Sequence, residues 1–498
     1  MPIQTGGVHP PVTVHDAAET IREMIPGGAF LNGENVPVSY PLEVREVESG
    51  VLLGQVENSS ASLVRRATTS ANQSLTSSWE PWERQAVLDL TASKLKASSQ
   101  DAALIIAAEG IKTITEARQE VRRAVQTLRL SARAIDNHVG ETLNLSADER
   151  GAGRSGYYSR CPLGVVAAIT PFNDPLNLVA HKVGPALAAG NAVVVKPAEQ
   201  TPFSALFLAR LLHESGAPAG AISVLPGDAM TGQALVEDSH VDAITFTGGE
   251  EVGIRISENA RGRKVLLELG GNNAVIVAKD ADLAAAAQAC VSGAFSAAGQ
   301  NCLSVQRVYV HREVVEPFIQ MVVDKTEALS VGTKFDSGTN VGPVISGAAV
   351  EAFTDRIEDA VNRGAQLRTG GRAHDRFVRP AILTSVDEES SVFTDECFAP
   401  VLNIVSYDDW TLLPERIEAA GQAMQVGIFS TSFEICLALA ERISAGAVLI
   451  NETSDFRIDS MPFGGFGRSG TGREGAKHAM HELSAPKSII FPPQITSR

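Results

Sequence analysis

The sequence predicts an α/β protein built on parallel sheets, and three observations carry that expectation. From Gly164 onward short β-branched runs alternate with apolar helical runs: "GVVAAIT", a helical stretch to Gly190, "NAVVVKP", "PFSALFLARLLHE", "AISVLPG", a short helix and "AITFTGG". Strands of this kind, separated by helices of about 8–14 residues, are the pattern of βαβ units covered on both faces. The runs "VLLELGG" and "NAVIVAKD", the Ala-rich helix over 281–299 and the strand "SVQRVYV" repeat that pattern, so a second α/β unit begins near Gly271. Finally, 498 residues exceed what one hydrophobic core usually organises.

The flanking elements follow in order. Residues 1–25 carry Gly, Pro and polar side chains and are expected to form a loosely docked extension. Between Ala61 and Val139 apolar residues recur at helical spacing, and in "EVRRAVQTLRLSARAI" Val121, Ala124, Leu128 and Ala132 line one face. The segment 141–160 alternates weakly about a Gly-containing turn and reads as a projecting hairpin, while "KSIIFPPQ" near the C-terminus reads as a short strand. Both are candidate assembly contacts.

Composition narrows the partners. Lys+Arg 42 against Asp+Glu 58 leaves a net charge of −16 with scattered basic residues, which argues against a nucleic-acid or anionic-membrane surface. Five widely spaced cysteines, at 161, 290, 302, 397 and 436, fit free thiols in a reducing compartment. With no signal-like N-terminus and no apolar run near about 18 residues, a soluble cytoplasmic protein acting on small molecules is expected.

Five segments carry candidate chemistry. "AITFTGGEEVG" ends a strand, turns on Gly248 and Gly249 and resumes as a helix, so its backbone N–H groups can face a phosphate. An ordinary glycine-rich turn reads the same way, since the order is not G-x-G-x-x-G. In "VVVKPAEQTP", Lys196 ends a strand and Glu199 follows; the carboxylate can accept from ribose hydroxyls and repel a 2′-phosphate, or the two can form a solvated pair. Glu268 in "LLELGG" stands among apolar neighbours that would raise its pKa, as a general base near neutrality requires, unless its side chain escapes to solvent. Asn173 in "AITPFNDPLN" can point an amide into a crevice as an oxyanion donor, and the backbone N–H of Cys302 in "GQNC" is a second donor.

In this order and spacing "KPAEQTP" (196–202), "FTGGEEVG" (246–253), "ELGG" (268–271), "GQNC" (299–302) and "MPFGGFGRSG" (461–470) resemble the aldehyde dehydrogenase superfamily, from about residue 28 to the C-terminus. The resemblance implies a Rossmann-type NAD-binding domain (26–140 and 161–270), an α/β catalytic domain (271–470) and a β-hairpin oligomerisation element (141–160 with 485–498) in a homodimer or homotetramer. It implies Cys302 as nucleophile, Asn173 as oxyanion donor, Glu268 as the base that activates water on the thioester, and Lys182 as an aid to proton release. NAD contacts are implied at Thr170, Pro171, Lys196, Glu199, Thr247, Gly248, Gly249, Leu269, Glu396 and Phe398, and no metal. An acidic residue at 268 disfavours the acyl-CoA-forming branch. An inactive structural relative and an NAD-sensing regulator are the rivals outside the enzyme class, and Cys302 argues against both.

Several positions depart from the family pattern. Pro171–Pro175 reads Pro-Phe-Asn-Asp-Pro where Pro-Trp-Asn-Phe-Pro is common, so Asp174 puts a carboxylate where an aromatic tunnel wall is usual. Gly249 replaces a frequent serine, and "DECFAPV" carries Asp395, Cys397 and Ala399. By register, Arg123 and Arg457 fall where relatives for apolar aldehydes carry hydrophobic side chains. Guanidinium groups bind carboxylate, phosphonate or sulfonate in bidentate fashion, so a small anionic aldehyde is expected, with Asp174 as a further substrate residue. Alternatively the arginines pair with Asp174, Asp455 or Asp459 and only shape the tunnel, which leaves neutral, hydroxylated or amino aldehydes open. "FRIDSMPFGG" is similar to lactaldehyde and phosphonoacetaldehyde dehydrogenase-type members.

Overall fold

A computed structural model describes residues 13–421 and 423–493. The β-branched runs after Gly164 become the centre of an eight-stranded sheet, in the spatial order Ile222–Val224, Ala192–Lys196, Val165–Ile169, Val241–Thr247 and Lys264–Glu268, all parallel. Numbered along the chain, these five lie in the order third, second, first, fourth, fifth. That is the winding of dinucleotide-binding sheets, which leaves a crevice at the carboxyl ends of the first and fourth strands, where the order reverses. Helices close both faces: Asn177–Ala189, buried along its whole length, and Phe203–Glu214 pack on one, and Ala61–Ser74, Ala229–Glu237 and Glu250–Asn259 pack on the other.

A second sheet of seven strands holds Ala381–Thr384, Val401–Tyr407, Val305–His311, Asn273–Val277, Gln425–Phe429 and Ala447–Ile450 in parallel, with Gln366–Thr369 antiparallel at one edge. Residues 269–272 carry the chain from the carboxyl end of Lys264–Glu268 to the amino end of Asn273–Val277. Cys302 lies just before the strand Val305–His311, so its turn meets the cleft at the amino end of the second sheet. A third sheet joins Ser484–Phe491, Ser155–Pro162 and Glu141–Thr142, all antiparallel, with Ser484 opposite Pro162 and Phe491 opposite Ser155.

One expectation needs correction. The extension over 1–25 is not loosely docked where it is described: Val14–Met24 is a helix that buries Ala17, Ala18 and Ile21 and packs on Ser99–Glu109. Its start is a capping box, in which Thr13 Oγ1 accepts from Asp16 N–H at 3.2 Å and the Asp16 carboxylate accepts from Thr13 N–H at 2.8 Å. The Gly and Pro residues that dominated the reading lie in 1–12, outside the described residues. Gly470–Thr471 pairs antiparallel with Leu267 and Glu268 at the edge of the first sheet. The helix Ala476–Glu482 then packs on Asn177–Ala189. Among the described residues no helix is long and apolar enough to cross a membrane.

Candidate active site

A cleft of about 790 Å³ opens at the reversal point of the first sheet. Thr170, Pro171 and Asn173 enter it from the loop after Val165–Ile169, Lys196 and Glu199 from the end of the next strand, and Thr247, Gly248 and Gly249 from the end of Val241–Thr247. Glu268, Leu269, Cys302, Glu396 and Phe398 complete the set of cleft-lining residues that the sequence singled out. Close packing explains the glycines here. A Cβ on Gly248 would stand 2.5 Å from the Phe246 ring, and one on Gly253 would stand 2.5 Å from Leu269 Cδ2. Gly249 has nothing within 4 Å and caps the helix Glu250–Asn259, so that helix presents its N-terminus to open space. Thr247 Oγ1 is buried with no hydrogen-bond partner. Lys196 is 8 % exposed; burial lowers its pKa, and the Glu199 and Asp228 carboxylates oppose that shift. Glu396 Oε1 accepts from Gly271 N–H at 3.3 Å, a Cβ on Gly270 would meet Glu396 Oε2 at 2.1 Å, and burial pushes the Glu396 carboxyl up to about 7.

The turn carrying Cys302 is strained on entry and tied down beyond it. Ala297, Ala298 and Gly299 are left-handed in succession, with φ of 49°, 54° and 71°, which costs an alanine of the order of 1–2 kcal/mol. A Cβ on Gly299 would sit 2.3 Å from Ala399 O. Asn173 Nδ2 donates to Gln300 O at 3.0 Å, and Asn273 Nδ2 donates to Cys302 O at 2.7 Å. Asn273 Oδ1 in turn accepts the N–H groups of Met424 and Gln425, each at 3.0 Å, which locks the amide's orientation. Cys302 is partly exposed to the cleft, yet burial pushes its thiol up to about 12. Arg457 opposes that shift, and Glu396, Glu268 and Glu474 add to it. These surroundings favour the neutral thiol over the thiolate.

Glu268 does not escape to solvent. It is 3 % exposed, its Oε2 has no partner, and burial followed by the nearby Glu474 raises it well above the ordinary carboxyl range. The positive-φ Gly464 of "MPFGG" makes room for it, since a Cβ there would lie 2.9 Å from Glu268 Oε1.

Beside the cleft several charges are paired. Lys182 Nζ donates to Glu474 Oε1 at 2.9 Å and to Thr245 Oγ1 at 3.1 Å. Arg457 Nη2 donates to Glu474 Oε2 at 3.2 Å, and its guanidinium stacks 3.7 Å from the centre of the Phe463 ring, which leaves Nε without a partner. Arg123 is more fully engaged: Nη1 donates to Asp174 at 3.2 Å and Nη2 to Asp459 at 3.0 Å. Asp174 also pairs with Lys112, which bonds Glu120 at 2.8 Å. The tunnel-shaping alternative thus describes Arg123 and Asp174 as they stand. Arg457 takes neither Asp174, Asp455 nor Asp459.

Glu474, Asn273 and Lys112 escaped the sequence reading. Glu474 lies four residues past "MPFGGFGRSG", and nothing local marks it as the counter-ion of a lysine 292 positions earlier. Among the described residues no group of three His, Cys, Asp or Glu side chains is placed to hold a metal ion.

Comparison with known proteins agrees with this geometry. The chain is 39% identical to 3-sulfolactaldehyde dehydrogenase of Priestia megaterium over 93% of its own length and 98% of that protein. Among solved structures it resembles NADP-dependent glyceraldehyde-3-phosphate dehydrogenase of Bacillus halodurans in complex with NADP, with TM-score 0.91, 32% identity and 94% and 99% of the two chains covered. The NAD+ complex of aldehyde dehydrogenase from Bacillus cereus also gives a TM-score of 0.91, at 28% identity over 95% and 98%. The aldehyde dehydrogenase family model matches residues 37–489, and with the cleft, the buried glutamate and the cysteine turn in place the chain belongs to that family.

Proposed function

We propose that this protein oxidises a short aldehyde bearing a terminal anion to its carboxylic acid, with NAD as hydride acceptor and Cys302 as nucleophile. The observation that carries the anionic class is Arg457. Its charge is felt at Cys302, and its Nη2 serves both Glu474 and His181 while Nη1 makes no hydrogen bond to the described residues; both terminal nitrogens of Arg123 are taken by carboxylates, and Nε is buried and unpartnered in both arginines. A sulfonate, phosphonate or carboxylate can use the unfilled Nη1. The 3-sulfolactaldehyde and glyceraldehyde-3-phosphate dehydrogenases among the relatives are named for anionic aldehydes, which supports the same reading.

A dinucleotide suits the cleft's own features: the open helix N-terminus at Gly249, the unpartnered Thr247 hydroxyl, the buried Lys196 and the Glu396 carboxyl. Glu199 disfavours a 2′-phosphate by like charge, which favours NAD over NADP. When bound, NAD accepts the hydride that the aldehyde carbon loses.

This chain's residues do the rest. The Cys302 proton passes to the buried Glu268 side, where a carboxylate is a strong base because burial raises its pKa. The sulfur bonds the aldehyde carbon, and the carbonyl oxygen becomes an oxyanion. Asn173 Nδ2 turns from Gln300 O to donate to that oxygen, with Cys302 N–H beside it. Loss of hydride leaves a thioester on Cys302. Glu268 then takes a proton from water as it attacks, the carbon–sulfur bond breaks, and the acid departs. The Lys182 ammonium, held by Glu474, favours the carboxylate form of Glu268 and so promotes release, to the solvent of the cleft, of each proton that Glu268 has taken.

The test is NADH formation with propanal, lactaldehyde, phosphonoacetaldehyde and sulfoacetaldehyde, in the parent and in Cys302→Ser. The proposal expects kcat/KM at least about tenfold higher for the anions and no turnover in the variant. Faster oxidation of lactaldehyde would favour a hydroxylated neutral substrate, the reading that the saturated Arg123 supports.

A further inference from the structure

Cys302 stands between two residues that are gripped from another loop. Asn301 Nδ2 donates to Asp455 Oδ1 at 2.8 Å, and the same side chain's Oδ1 accepts from Leu303 N–H at 2.7 Å. Ser454 Oγ donates to Leu303 O at 2.9 Å. One amide is thus fixed at both ends and spans the nucleophile. Its outer anchor, Asp455, lies on the loop that carries Arg457, two residues further on.

Asp455 is an unusual place to keep a carboxylate. Burial raises it to about 6; the charges around it are Arg123, which lowers it, and Glu116 and Glu452, which raise it. It forms no ion pair among the described residues, although two arginines lie on neighbouring elements that pair with other acids. A poorly solvated carboxylate is costly unless a donor holds it, and the donor here is the amide next to Cys302.

We infer that Asp455 is a positioning residue for the nucleophile, acting through Asn301 to fix the turn 301–304 and to tie it to the loop that bears Arg457. This rests on Cys302 being the nucleophile. Without Asp455, Asn301 Nδ2 loses its anchor and is free to rotate. The sulfur and the Cys302 N–H then lose their common aim, which a displacement of about 1 Å makes expensive in rate. The cofactor side of the cleft does not depend on this contact.

The experiment measures kcat, the KM for NAD and the rate of iodoacetamide alkylation of Cys302, read by peptide mass spectrometry, in Asp455→Ala, Asp455→Asn, Asn301→Ala and the double alanine variant. Each single alanine variant is expected to lower kcat about 10–100-fold and to change the alkylation rate more than about fivefold, with the KM for NAD within about twofold. Asp455→Asn, whose amide oxygen still accepts from Asn301 Nδ2, is expected to recover kcat to within about threefold of the parent, and the double variant to be no worse than either single one. Parental kcat and alkylation in Asp455→Ala, or losses that multiply in the double variant, would overturn the assignment. If Asp455→Ala does not fold, unchanged kcat and alkylation in Asn301→Ala overturn it equally. Turnover in Cys302→Ser is a separate failure, of the mechanism itself.

Discussion

The two sides of Cys302 are built differently. Toward the cofactor, the cleft is made of strand ends, glycines and one helix N-terminus, features that short stretches of sequence mark. Toward the substrate it is a lattice of ion pairs joining distant segments: Arg123 reaches Asp174 across 51 positions and Asp459 across 336. The first surface carries one feature that selects between dinucleotides, the Glu199 carboxylate. The second decides which guanidinium nitrogens are already taken, and that depends on which carboxylates arrive from elsewhere in the chain.

That contrast can be broken at several points. Cys302→Ser and Glu268→Gln act at the seam and carry the largest effects. The first removes turnover, and the second is expected to slow kcat by about 10²–10⁴-fold, with the first NADH also formed more slowly because Glu268 takes the Cys302 proton, which stopped-flow absorbance would show. Next comes the lattice. Glu474→Gln leaves Lys182 and Arg457, 1 % and 7 % exposed, without their counter-ion, so urea unfolding should show a loss of about 3–5 kcal/mol. Against the opposing effect of burial, the Lys182 ammonium and the Arg457 guanidinium hold the Glu474 carboxyl well below its ordinary value. A depressed carboxyl contributes stability above the ordinary value and loses it as pH falls below that value, so this part of the acid limb should flatten in Glu474→Gln. Glu268, raised by burial, works in the opposite sense, and its contribution fades as pH rises above the ordinary carboxyl value.

On the cofactor side the effects are smaller. Glu199→Gln is expected to raise kcat/KM for NADP relative to NAD by about tenfold, read from initial rates with each dinucleotide, with little change in stability. The mildest probe is pH. With the Cys302 thiol near 12, alkylation of the free enzyme should climb about tenfold per pH unit between about pH 7 and 9, and a plateau in that range would mean a thiolate stabilised at rest.

What could be read from the sequence follows the same division. Alternating β-branched and helical runs gave the two sheets, and the glycines beside Thr247, Glu268 and Cys302 marked the cleft, because turns and close approaches are dictated by neighbours. The thiol at 302 and the carboxyl at 268 were recognisable from their motifs, and Glu268 proved as buried as its apolar neighbours implied. Glu474, Asn273 and Lys112 were not visible, since a charge or amide acquires its partner only when strands far apart in sequence are brought together. Asp174 looked like a tunnel residue because its register was known and its partner, Lys112, was not. The capping box at Thr13–Asp16 was legible and was passed over beside a run of Gly and Pro.

The central claim is that Arg457, and not Arg123, meets the substrate's anion. The most direct measurement is the ratio of kcat/KM for sulfoacetaldehyde to that for propanal in Arg457→Met and in Arg123→Met, each checked for folding by its thermal transition. The account predicts that the ratio falls at least about tenfold in Arg457→Met and stays within about threefold in Arg123→Met, whose damage appears as a lower melting temperature. A ratio that collapses in Arg123→Met and survives in Arg457→Met would contradict it.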